Sequence, residues 1–331
     1  MLVPDASTLI PVDEVTITVL VDNTYDSLAT DTGPARRAGL SRIARIPATH
    51  FVGGSTMPGL RAEHGFAALV TVRRGASSRA LLLDTGITPD GLLTNADLLG
   101  LDLSPVEAVV LSHGHFDHTG GLASLAARHS GLPLHLHPRA WVPRRVTAPG
   151  QEVRDLPTIS RAALETAGFD IVERRGPSTL LDGHVLVTGE ITRGTGYERG
   201  MPFHEAYHDG VWTPDPLLLD DQAVVVHVRD RGLVVLTGCG HAGAINTVHH
   251  ARRLSGVDRL HALLGGLHLS GRAFEPVIAP TLDALRGLAP DLVVPAHCTG
   301  LAAQHRLASA LPAAFVPSVV GSSYILSAGR R

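Results

Sequence analysis

Apolar and β-branched residues in this chain fall into short runs that end at turn residues. The first three, Val15 to Val21, Phe66 to Val72 and Ala80 to Leu83, predict sheet strands. Gly91 to Leu99 then reads as a short helix, Ala108 to Leu111 as a buried strand ending at Ser112, Leu122 to Arg128 as a helix and Leu134 to His137 as a strand. The second half repeats the alternation. Strands are expected at Val185 to Thr188, Ala223 to Val228, Leu233 to Thr237, Leu260 to Leu264 and Leu292 to Pro295, with helices at Ala244 to Leu254, Pro276 to Leu288 and Leu301 to Ala310. Strands and helices mixed on this scale imply sheets covered by helices, an α/β architecture.

Two stretches interrupt the pattern. Residues Pro138 to Ser160 and Gly194 to Pro216 are rich in Pro, Gly, Arg and aromatic side chains, and long irregular segments inside a compact fold are usually functional loops. No low-complexity linker divides the chain, so residues 1–331 are expected to form one domain with these two loop insertions.

Composition narrows the chemistry. The chain has 331 residues, 44% hydrophobic and 18% charged, and a formal net charge of -3, which supplies no basic field for nucleic acid or an anionic membrane. Small molecules are the expected partners; the oligomeric state is not encoded in any feature of the sequence. The start, Met1-Leu2-Val3-Pro4-Asp5, lacks the basic and apolar regions of a signal peptide, and a cytoplasmic location is expected. All 28 basic residues are arginine, so Schiff-base and P-loop chemistry, which need a lysine, are excluded. The two cysteines, Cys239 and Cys298, are too few for a disulfide framework, and each stands beside a histidine, in Cys239-Gly240-His241 and His297-Cys298.

The segment Ser112-His113-Gly114-His115-Phe116-Asp117-His118 carries the most chemistry. It follows a buried strand, and in extended backbone residues two apart project to the same side, so His113 and His115 can converge on one ion. Asp117 and His118 follow where the chain enters the next helix and can meet a second ion. Neutral imidazole and carboxylate are the usual ligands of catalytic zinc. Four polar residues in an exposed turn are the plain alternative, but this ordered set is far more specific than a lone pair of histidines.

The segment resembles the His-x-His-x-Asp-His signature of the metallo-β-lactamase superfamily. Leu81-Leu82-Leu83-Asp84-Thr85-Gly86 is similar to that family's first motif, and Gly238-Cys239-Gly240-His241 and Pro295-Ala296-His297-Cys298 stand where it places later ligands. With Asp22-Asn23, Glu63-His64-Gly65 and Gly265-Gly266-Leu267-His268, these motifs resemble the branch of superfamily II metal-dependent hydrolases, which includes an archaeal dihydropteroate-type synthase of methanopterin synthesis. The resemblance implies a four-layer αβ/βα sandwich with metals at the edge between its two sheets. It implies His113 and His115 on the first metal and Asp117, His118 and His297 on the second, with Asp84 orienting a ligand from behind. For the third ligand of the first metal the alternatives are His241, the preferred one, and Glu190; Cys239 stands where relatives carry a bridging group.

The cofactors so implied are two divalent ions, zinc before manganese or iron. Held about 3.5–4 Å apart, such ions acidify a water between them, and a metal-bound hydroxide would attack an ester, lactone, amide or phosphoester of a small molecule, with Asp117 as both ligand and orienting group. His64, Arg193, Tyr197 and His268 are the expected substrate contacts, and an anionic substrate is expected from Arg193. Rival readings are a dihydropteroate-type condensing enzyme, a mononuclear iron dioxygenase on the same fold, and a non-catalytic metal-binding protein. The second insertion, with Tyr197, Phe203, Tyr207 and Trp212, is expected to lie over the substrate as a lid.

Overall fold

The computed structural model describes residues 9–39 and 43–329, so the Met1–Asp5 start lies outside the described residues. Each expected strand and helix is present, with ends shifted by a few residues. Among the described residues one sheet has eight strands, in the order Asp170–Glu173, Pro133–Leu136, Val106–Val110, Ser77–Leu83, Ala67–Arg74, Glu14–Val21, Ser323–Ser327 and Ala35–Arg36. A second has six, in the order Ser178–Leu180, Val185–Val187, Ala223–Val228, Gly232–Thr237, Leu260–Gly266 and Leu292–Ala296.

The apolar runs are explained by burial on both faces of each sheet. In Val106–Val110 and its continuation, Ala108 and Val110 point into the layer between the sheets, while Val109 and Leu111 point outward. In Gly232–Thr237, Val234 and Leu236 face inward and Leu233 and Val235 outward. The outward side chains of the first sheet pack on helices Gly91–Leu98, Leu122–Arg128 and Arg161–Ala167 through Leu92, Leu125 and Leu164. Those of the second pack on Ala244–Ser255, Glu275–Leu288 and Leu301–Ala310 through Val248, Leu285 and Leu307. The result is the expected helix–sheet–sheet–helix sandwich. Among the described residues no helix is long and apolar enough to cross a membrane.

The two interrupting stretches are less irregular than expected. Arg154–Leu156, Arg144–Val146, His204–His208 and Val211–Pro214 form a four-stranded antiparallel sheet in which the two stretches pair, Ala206 opposite Arg144 and His204 opposite Val146. A buried side chain anchors this sheet. Arg144 reaches Asp215 at 3.0 Å and Asp220 at 2.6 Å, and Asp220 accepts the Gly114 N–H at 2.9 Å. The sheet is therefore tied directly to the His113–His115 loop. Neighbouring parallel strands of the second sheet end level with one another, Thr237 opposite Gly265 and Gly265 opposite Pro295, which brings their following loops to one edge.

Candidate metal centre

At that edge the strand Val106–Val110 runs out into the histidine-rich loop. His115 keeps extended backbone (φ −72°, ψ 150°) and caps the one-turn helix Phe116–Thr119, whose first turn carries Asp117 and His118. Two glycines let the loop dock closely. A Cβ on Gly114 would lie 2.4 Å from the Ala140 carbonyl oxygen, and one on Gly120 would lie 1.9 Å from that of Ile87. The Thr85 N–H then donates to the His118 carbonyl at 2.8 Å, fixing the turn against the loop after Ser77–Leu83.

The expected donors converge. The His113 and His115 rings lie 4.5 Å apart, and His113 Nε2 is 3.2 Å from His241 Nε2. On the other side Asp117 Oδ2 lies 3.3 Å from His297 Nε2 and 3.7 Å from His118 Nε2, and His118 Nε2 lies 3.2 Å from Cys239 Sγ. Asp117, His118, Cys239 and His297 form one four-donor group within 4.8 Å, and His113, Cys239 and His241 form another, sharing the thiol. All are buried. His115 stands in neither group, but its ring lies 5.0 Å from that of His241, and its Nε2 is buried with no hydrogen-bond partner among the described residues. Imidazole, carboxylate and thiol are the donors a divalent transition metal requires, and the residues fit such an ion.

The model of the metallo-beta-lactamase superfamily matches residues 63–254, which span the histidine loop, His241 and most of both sheets. The chain belongs to the metallo-β-lactamase superfamily. Members of this superfamily are mostly enzymes and typically bind divalent metals. The chain is 28% identical over 252 residues, 73% of its own length and 83% of the other's, to a Methanocaldococcus jannaschii protein named 7,8-dihydropterin-6-methyl-4-(β-D-ribofuranosyl)-aminobenzene-5'-phosphate synthase. It is 27% identical over 253 residues to an uncharacterised protein of the same organism, covering 74% of this chain and 88% of that one. Its fold is similar to the crystal structure of Tm1679, a metal-dependent hydrolase of the β-lactamase superfamily, with a TM-score of 0.70 at 24% identity over 95% of this chain and 99% of that one.

Within this superfamily member the donors are held from behind. Asp84 Oδ2 accepts from His118 Nδ1 at 2.7 Å and from the Ser112 hydroxyl at 2.7 Å, while Oδ1 accepts the Ser112 N–H. Ser112 Oγ in turn lies 2.9 Å from His113 Nδ1, so one carboxylate orients candidate donors on both sides of the cluster. Asp22 accepts the His297 N–H at 2.8 Å, and Asn23 Oδ1 lies 3.2 Å from His297 Nδ1. The Asp22-Asn23 pair stands in a motif visible in the sequence, but its role toward His297 depends on a contact 275 residues away along the chain.

Electrostatics divide the imidazoles. Burial, reinforced by neighbouring imidazoles and, for His113 and His115, by Arg144, holds His113, His115 and His241 well below the ordinary histidine range, which favours the neutral, metal-binding form. His118 differs. Burial opposes its charge, but the Asp117 and Asp84 carboxylates outweigh burial and raise it to about 9. Asp117, despite burial, is drawn well below the carboxylate range by His118 and His297.

His204 has no counterpart in the sequence analysis. The small sheet carries it to 5.4 Å from the His115 ring, and burial, with Arg144 nearby, lowers it to about 4. No local pattern marks it, because its approach depends on the pairing of two distant stretches.

Not every expected residue joins the site. Glu190, the alternative ligand, is held elsewhere, with Oε1 3.0 Å from His137 Nε2 and 3.4 Å from Arg175. Arg193 is also turned inward. It donates to the His241 carbonyl at 3.0 Å and to that of Leu217, so it braces the segment that carries His241. His64 is exposed on the Asp117 side, 3.8 Å from Oδ2, with Asn23 against its other nitrogen. Tyr197 and His268 line a cleft of about 450 Å³ with His241, Leu267, Leu269 and Phe274. Of the four aromatic residues expected to form a lid, only Tyr197 lines this cleft; Tyr207 and Trp212 pack against each other with tilted rings, with Arg145 over the indole. Glu198 shapes the same loop by accepting the Ile245 and Asn246 N–H groups, each at 2.8 Å, at the start of the helix Ala244–Ser255.

Proposed function

We propose that this chain is a hydrolase that uses two divalent ions, zinc in the first place, held by His113, His115 and His241 on one side and by Asp117, His118 and His297 on the other, with Cys239 between them. The observation that carries it is the single shared thiol at the junction of two buried donor groups. Bound there, such ions would supply an acidified water and electrostatic stabilisation of a developing oxyanion. The protein's own part is positioning. Asp84 and Ser112 fix the imidazole orientations, and Asp117 presents Oδ2 among three imidazoles. The adjoining cleft, with Tyr197, Phe274 and Leu269, suits a substrate with a planar or apolar portion, and the exposed Arg199 at its wall suits an anionic group.

A second reading has support from the synthase named above, a condensation joining a pterin-methyl group to an aromatic amine that carries a ribose phosphate. The two readings separate in one experiment. Metal-analysed protein should contain two equivalents of metal and hydrolyse members of a panel of carboxylic esters, lactones and phosphodiesters. No hydrolysis by fully loaded protein, with C–N bond formation from a pterin-methyl donor and an arylamine, would replace the hydrolase reading by the condensing one.

A further inference from the structure

A third donor group lies beside the two described above. Cys239 Sγ, Cys298 Sγ and a ring nitrogen of His268 lie within 4.8 Å of one another. They come from the loops after three adjacent parallel strands, Gly232–Thr237, Leu260–Gly266 and Leu292–Ala296, whose level ends set the donors side by side. The packing makes room for the sulfurs. A Cβ on Gly266 would lie 2.8 Å from Cys298 Sγ and 3.0 Å from the Cys239 Cα, so only glycine lets the thiols meet.

Two features of His268 indicate more than packing. Its backbone is left-handed at φ 43°, a conformation rarely adopted by a residue other than glycine and found mostly where the surroundings impose it. Its Nδ1 is buried without a hydrogen-bond partner among the described residues, while the ring packs against His241 at 4.4 Å and Phe274 at 4.5 Å. The Cys298 thiol donates to the Cys239 carbonyl at 3.2 Å, and its sulfur also meets the Cys239 thiol and the His268 ring, the same groups that would share an ion with it.

We propose that Cys239, Cys298 and His268 form a further metal position of Cys₂His type, selective for a thiophilic ion such as zinc. Two thiolates and one imidazole are soft donors, unsuited to magnesium or calcium. Three protein ligands leave a fourth place on zinc open, and His268 lines the cleft, so an ion here would border the substrate space. Each thiol gives up its proton to solvent on ligation. Cys239 is shared with the dinuclear reading, but Cys298 and His268 belong to neither of its donor groups, which makes the two separable.

The test is anaerobic titration of metal-free protein with cobalt(II), following the thiolate-to-cobalt charge-transfer band. The wild-type band should include a thiolate–cobalt bond from Cys298, and Cys298→Ser should lose that bond's share of the intensity while the Cys239 bonds remain, with circular dichroism confirming the fold. A band unchanged by Cys298→Ser overturns the proposal and leaves the dinuclear reading intact. Should Cys298→Ser fail to fold, His268→Ala serves instead; it should alter the cobalt ligand-field bands, and identical spectra would equally sink the idea. Fewer than two metals in the remaining donor groups, with the two-thiolate band retained, would instead count against the dinuclear reading alone.

Discussion

His118 Nδ1 lies 2.7 Å from Asp84 Oδ2, and both side chains are fully buried. The carboxylate fixes which imidazole nitrogen faces the donor cluster, and through Ser112 it also fixes His113. Asp84→Ala should therefore weaken metal binding by about 10–100-fold while leaving every proposed ligand in place. Competition against a chromophoric chelator measures this. Unchanged affinity would show that Asp84 serves only the turn.

His241 and Glu190 are both candidates for one ligand place; His241 stands in a buried donor group, and Glu190 is paired with His137 and Arg175. Loss of one metal equivalent is expected in His241→Ala, with none lost in Glu190→Ala, by elemental analysis after dialysis. The reverse outcome would require Glu190 to leave His137 and Arg175 on metal binding.

Arg144 is buried between Asp215 and Asp220, and the latter also holds the Gly114 N–H. Removing one partner of a buried ion pair leaves the other charge uncompensated, a cost of about 3–5 kcal/mol. Arg144→Leu should thus lower the unfolding free energy by about that amount in denaturant titration and disturb the His113–His115 loop. A change within the range of surface substitutions would mean that water replaces the guanidinium.

Tyr197 lies on the wall of the cleft that His241 and His268 also line. Under the proposed function, Tyr197→Ala should remove an aromatic contact worth about 1 kcal/mol, raising KM several-fold for substrates with a planar group. Small activated esters and metal content should be unaffected. Equal losses on both substrate types would indicate that Tyr197 supports the loop rather than the substrate.

Much of this molecule is decided locally. The sheets were legible because a strand buried on both faces must be apolar throughout, as in Leu292–Ala296. His113 to His118 were legible because their convergence requires only one strand end and one helical turn. Tertiary structure alone decided the rest. The pairing of Arg144–Val146 with His204–His208, which delivers His204 to His115, is a contact between distant segments with no periodic signal of its own. Arg193 resembles a substrate-binding arginine in sequence, yet its guanidinium is occupied by backbone carbonyls exposed only once the strands have ended. Cys239, His268 and Cys298 are far apart along the chain and meet because three parallel strands end level, a property of sheet register that no stretch of sequence contains by itself.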